Sequence, residues 1–151
     1  MRPAAVAAPL SAYAVGMARY VIDSPTLLHV VDAGLRIDAG HRLVAPAGLR
    51  PEVMQLLLRD VRDGSRTDRA ALAVHEQLTG VKIRLLNDRV SRATAWRIAR
   101  EQDWDTLRDA EYLAVTRLQA DALITVDPGL AARAADLVPL APLEALLPAA
   151  G

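Results

Sequence analysis

The 151-residue chain has no cysteine and no phenylalanine, and its aromatic residues are three Tyr and two Trp. Without cysteine there is no disulfide scaffold, no thiolate zinc cluster and no thiol catalysis. With so few rings the core must be aliphatic and Ala-rich, and stacking platforms for nucleobases are not expected. Lys82 is the sole lysine, so 17 of the 18 basic residues are Arg; against 18 Asp+Glu the formal net charge is zero, which excludes a histone-like or polybasic protein. Long hydrophobic runs are also missing. The uncharged stretch 3–18 is interrupted by Pro3, Pro9 and Gly16 and is too short and broken to cross a bilayer. Its Ala12-Tyr13-Ala14 resembles a signal-peptidase site only superficially, because the stretch runs at once into a first core strand. We expect residues 1–16 to be a flexible leader, Met17 to be the biological start, and the protein to be cytoplasmic with no membrane partner.

What remains is one ordinary domain, residues 17–147, with a short tail at 148–151. A chain this size buries roughly 68–70% of its unfolded surface and needs no staple to fold. The zero net charge conceals an asymmetry. Residues 81–100 carry six basic groups against Asp88, whereas residues 101–127 carry seven acids against Arg108 and Arg117, giving +5 and −5. Solvated helix faces are the simplest reading of the two stretches, and a site gathering cations and phosphates is the functional one.

Arg19–Asp23 reads as a β-branched strand stopped by Ser24-Pro25, where Ser suits a helix cap and Pro the first turn. Leu27, Val30, Val31, Gly34 and Leu35 then mark one helical stripe. Leu43-Val44-Ala45 is a second strand, residues 51–62 and 65–78 are helices, and Val81–Leu86 is a strand with one exposed, basic face. A helix capped by Asn87 or Asp88 runs through Gln102, and another spans 107–120. Ala122–Asp127 is the clearest buried strand, followed by a short helix after Asp127-Pro128, and Leu137–Leu140 is a candidate edge strand. Strands alternating with helices imply a mainly parallel sheet covered on both faces.

Ligands of open α/β sheets bind beyond the carboxyl ends of the strands. Asp23 and Asp127 stand at such ends, and Glu52 and Asp109 lie in the first turns of helices. If the sheet gathers them, the cluster demands a counter-cation: like charges about 4 Å apart repel by about 4 kcal/mol at an effective dielectric of 20. Carboxylate ligands point to Mg²⁺ or Mn²⁺. Local helix chemistry competes for each acid, since Thr106-x-x-Asp109 has capping-box spacing, Glu52 complements a helix dipole and Asp127 before Pro128 is an ordinary cap. Asp23 has no such local duty.

In this order, Tyr-Val-Ile-Asp23, the helix opening with Glu52, Asp109-x-x-Tyr112 and Thr125-x-Asp127 resemble PIN domains, specifically the VapC-like ribonucleases of toxin–antitoxin pairs, over residues 17–147. The resemblance implies a three-layer α/β sandwich and RNA cleavage at a Mg²⁺/Mn²⁺ site made by Asp23, Glu52, Asp109 and Asp127. It further implies support from Thr125 and a homodimer, with a cognate antitoxin as partner. Where the family commonly has Ser or Thr two residues after the first acid, this chain has Pro25, so Ser24 or Thr26 must take that part. Arg108, next to Asp109, is a candidate for touching a scissile phosphate or, equally, for a simple ion pair. Arg89, Arg92, Arg97 and Arg100 share a broad helix face near Trp96, which is expected in the core. His29, His41 and His75 are expected in surface or packing roles, and Met54 and Leu58 as dimer contacts. A haloacid-dehalogenase-like phosphatase would need a second Asp two residues after Asp23, and a receiver-type phosphoacceptor a late lysine; both are missing. The alternative from another class is a catalytically silent PIN-like module that binds RNA or protein.

Overall fold

A computed structural model describes residues 18–149. The expected leader 1–16, Met17 and the last two residues of the expected tail lie outside them. Strand β1 (Arg19–Ile22) buries Tyr20, Val21 and Ile22 completely, as a strand covered on both faces must. Helix α1 (Ser24–Asp32) follows with Pro25 in its first turn. The helix ends at Ala33 and Gly34, whose φ of +63° is the left-handed conformation glycine tolerates, so Leu35 lies beyond the helix rather than on its stripe.

Strand β2 (Arg42–Pro46) leads into α2 (Leu49–Arg62), which buries Leu49, Val53 and Leu57 at i, i+4 and i+8. Helix α3 (Asp68–Thr79) starts at Thr67, whose hydroxyl accepts the Ala70 N–H at 3.0 Å. Strand β3 (Arg84–Leu86) is shorter than the expected 81–86 because only these residues pair with β2, opposite Val44–Pro46. Asp88 caps α4 (Arg89–Gln102) by accepting the Ser91 N–H at 3.0 Å. Helix α5 (Arg108–Gln119) buries Ala110 and every residue from Tyr112 to Thr116. It packs on β1, β2 and β4, with α4 against its outer side, while α1, α2 and α3 pack on one another. Strand β4 (Ala122–Ile124) is wholly buried, and Asp127 caps α6 (Pro128–Ala134). Leu140 makes only an isolated bridge to Leu123, so the expected edge strand at 137–140 is not formed; Pro139, lacking an N–H, cannot extend the ladder. A 3₁₀ turn at Leu143–Leu146, for which the sequence carries no signal, buries Leu146.

All four strands are parallel, in the order β3-β2-β1-β4, and helices flank them in a three-layer sandwich. The chain lays β1, β2 and β3 outward and then crosses back to place β4 on the other side of β1. That reversal opens a crevice beyond the carboxyl ends of β1 and β4.

Candidate active site

Ile22 and Ile124 are register partners, so the residues that follow them, Asp23 and Thr125, emerge side by side at the switch point. Asp23 is fully buried. The Thr125 hydroxyl donates to its Oδ2 at 2.8 Å, and the Thr26 hydroxyl donates to its Oδ1. Thr26 Oγ1 in turn accepts the Val126 N–H at 3.0 Å, closing a loop of hydrogen bonds between the ends of β1 and β4. Thr26, not Ser24, thus supplies the hydroxyl missing at Pro25. Burial pushes the Asp23 carboxyl above its ordinary range, against the opposing effect of the Thr26 and Thr125 hydrogen bonds and of Arg108.

Asp23 is also the N-cap residue of α1, yet its side chain makes no cap bond, because both oxygens are taken by threonines. This leaves Ser24 free of the capping role expected for it. Ser24 Oγ instead lies 3.4 Å from Glu52 Oε1, to which it donates, and accepts from Arg108 at 3.1 Å.

Arg108 sits at the centre of the cluster. Its Nε donates to Glu52 Oε1 at 2.7 Å, one terminal nitrogen to Asp109 Oδ1 at 2.8 Å and the other to Ser24. Burial pulls its pKa down, but the attraction and hydrogen bond of Glu52 hold it above the ordinary arginine value. Tyr112, one turn after Arg108, lies under the guanidinium at 5.5 Å and donates its hydroxyl to Glu52 Oε2 at 3.2 Å. Burial and the neighbouring Glu52 both raise the Tyr112 pKa, so the phenol stays protonated. Asp109 Oδ2 is held by Arg133 at 3.1 Å, and Arg133 lies over the Trp104 ring at 4.8 Å. Thr106 does not cap α5; Leu107 occupies that position without a side-chain bond, and Asp109 faces the two arginines.

Glu52 and Asp109 therefore share one network through Ser24 and Arg108, while Asp23 is held separately by Thr26 and Thr125 and feels Arg108 only through its charge. Asp127 stands on the same rim but spends its Oδ1 on the Gly129 N–H at 3.0 Å, while its own N–H donates to Thr125 Oγ1 at 3.0 Å. Among the described residues no three His, Asp or Glu side chains are grouped so as to hold one metal ion. The donor chemistry nonetheless suits a hard divalent cation, being carboxylate and hydroxyl oxygen throughout. Glu52 and Asp109, with Asp23 beside them, are the residues that would hold such an ion.

Three participants were not legible as such. Glu111 is half-buried, and burial and Glu52 raise its pKa; with Gly48 and Arg92 it lines a cleft of about 250 Å³ beside the site. Arg133 and Trp104 carry no motif, since their contacts with Asp109 and with each other cross between α6, α5 and the loop before it. Trp96, expected in the core, is 62% exposed on α4. His41 is buried edge-on against Tyr20, a packing role as expected.

The chain is similar in fold to PAE2754 from Pyrobaculum aerophilum, at a TM-score of 0.63 and 23% identity over 85% of this chain and 93% of that one. No family model matches the chain, and no curated protein matches it. Among the described residues no helix is long and apolar enough to cross a membrane.

Proposed function

We propose that the protein is a PIN-like, Mg²⁺- or Mn²⁺-dependent endoribonuclease that hydrolyses RNA phosphodiesters at the rim formed by Asp23, Glu52, Asp109 and Asp127. The observation that carries this reading is the gathering of Glu52 and Asp109 around a single cationic group, Arg108, beside the buried Asp23 at the switch point of the sheet. Buried carboxylates at that place are costly to the fold and serve no packing purpose. A divalent ion there supplies a bound water of lowered pKa and neutralises charge developing on the phosphate. Thr26 and Thr125 fix the Asp23 carboxyl, and Tyr112 fixes Glu52 from the side opposite Arg108. Arg108, once displaced from Glu52 and Asp109, remains within reach of the rim to meet an incoming phosphate. Asp127 would join the ligand set only at the expense of its cap bond to Gly129, about 1 kcal/mol.

The toxin role of a toxin–antitoxin pair, a cognate antitoxin, a homodimer and a cytoplasmic location belong to the same reading. Met54 and Leu58 on α2, 38% and 52% exposed, support the homodimer. One observation favours a second reading, the silent binding module: the ion pairs of Arg108 already neutralise Glu52 and Asp109. Expression of the wild type and Asp109→Asn in a bacterial host, with RNA 5′ ends mapped across the transcriptome, separates the two. Discrete ends made only by the wild type support the nuclease. Identical maps from two folded proteins overturn it in favour of the silent module.

A further inference from the structure

Helix α4 presents Arg89, Arg92, Ala93, Trp96, Arg97 and Arg100 to solvent, while Ser91, Thr94, Ala95, Ile98 and Ala99 are buried. At roughly 100° per residue these six positions fall within about 140° of arc, with Trp96 near the middle and Arg92 and Arg100 one turn to either side; Val90 and Glu101, also exposed, lie just beyond Arg97 at one edge. Trp96 is 62% exposed, and no cation lies over its ring among the described residues. Arg89, Arg97 and Arg100 have no carboxylate partner there, and Arg92 holds only the Asn87 carbonyl at 2.8 Å and its side-chain oxygen at 3.3 Å. Four arginines in no ion pair, with Glu101 the one carboxylate within the same helix, call for an anionic partner, and a bare indole among them calls for a flat one.

We infer that this face is a platform for single-stranded RNA, with one base stacked on Trp96 and the backbone phosphates paired with Arg89, Arg92, Arg97 and Arg100. The inference rests on the ribonuclease reading for its choice of RNA and extends it to how the strand is held. A membrane surface does not fit, because the apolar side of α4 is already buried within the protein. An acidic peptide would satisfy the arginines but leave the indole without use. The scarcity of aromatics argues against a row of stacked bases, not against a single one; base-on-ring stacking is tolerant of sequence. The face also connects with the acidic rim: Arg92 lines the same cleft as Gly48 and Glu111, and Glu111 is close enough to Glu52 to be raised by it. A strand lying along α4 therefore passes into the site at its Arg92 end.

The test is binding of a fluorescein-labelled, 12-nucleotide single-stranded RNA in EDTA, followed by anisotropy, with the whole chain. Trp96→Ala should weaken binding about tenfold and Trp96→Tyr should keep most of it. Arg97→Ala/Arg100→Ala should weaken it and flatten the slope of log K against log salt by about 1.4, about 0.7 for each phosphate no longer neutralised. All these side chains are exposed, so the variants should fold, and unchanged Mn²⁺ binding would confirm that the acidic rim is intact. Wild-type binding that none of the substitutions alters overturns the platform and leaves the nuclease reading standing. Failure of the wild type to bind RNA overturns both, and capture of polyglutamate in place of RNA reassigns the face to an acidic protein.

Discussion

Two arginines in this molecule each clasp two carboxylates, and they differ in which partner is hidden. Arg66 binds Asp32 through both terminal nitrogens at 2.9 Å and Asp60 at 3.0 Å, tying the turn after α2 to the end of α1. There the guanidinium side chain is 17% exposed and its acids 38% and 31%, so the cation is the enclosed member. At Arg108 the order reverses: the arginine is 38% exposed and Glu52 and Asp109 are 25% and 17%. Enclosed acids under a more accessible cation form a place where one cation can be exchanged for another. An enclosed arginine under exposed acids forms a fastener. Ion-pair geometry alone does not distinguish the two; relative burial and position on the sheet do.

The largest effect that would sharpen this contrast is on chemistry. Glu52→Gln should reduce Mn²⁺-dependent cleavage of a labelled RNA more than about 100-fold, beyond the 10–100-fold typical of residues that only orient ligands. Arg66→Ala should leave that rate unchanged, and a comparable drop from it would erase the distinction between the two clusters. Next comes metal affinity. Arg108→Gln removes the competing charge and should tighten Mn²⁺ binding about tenfold by calorimetry, a modest part of the Coulomb energy available at such distances. Weaker binding in that variant would make Arg108 a support of the metal site instead of its rival. Third, Arg66→Ala should cost about 1 kcal/mol in urea unfolding, at the upper end for a partly exposed but bidentate pair. Arg108→Gln should cost less, because it also relieves the burial of that cation.

The fold is legible in the sequence where local pattern and burial agree. β1 and β4 are short apolar runs hidden on both faces, and Asp88 caps its helix as its type prefers, whereas the helix expected from residue 65 begins only at Asp68, after the Thr67 cap. It is illegible where pairing decides: Val81-Lys82-Ile83 alternates like a strand, yet β2 offers partners only from Arg84 onward. At the site, strand ends and helix starts single out the four acids. The group that organises them carries no such signal, because Arg108 reaches Glu52 and Ser24 across 56 and 84 residues of sequence. Trp96 departs from expectation for another reason. The general tendency of rings to be buried points it inward, but its angular position among the arginines puts it on the outer face of α4, and there the helix geometry prevails.

The smallest effect concerns Asp23, the fully buried acid of the rim, which no cation touches directly. Burial raises its pKa in the folded protein above the value in the unfolded chain. A carboxyl shifted that way adds stability below its unfolded pKa and loses it as pH rises through the folded pKa. As pH rises, ionisation of Asp23 is therefore a growing burden on the fold, offset in part by the Thr26 and Thr125 hydroxyls. Asp23→Asn should abolish cleavage while raising stability by about 0.5 kcal/mol at pH 7, the low end for relief of a strained functional site. At pH 4 the advantage should be smaller, because the raised pKa of Asp23 favours its protonated form as pH falls. Urea unfolding of both proteins at the two pH values measures this directly. An advantage that stays constant with pH would assign it to packing, and Asp23 would then resemble the acids around Arg66, held for the fold and not for a cation.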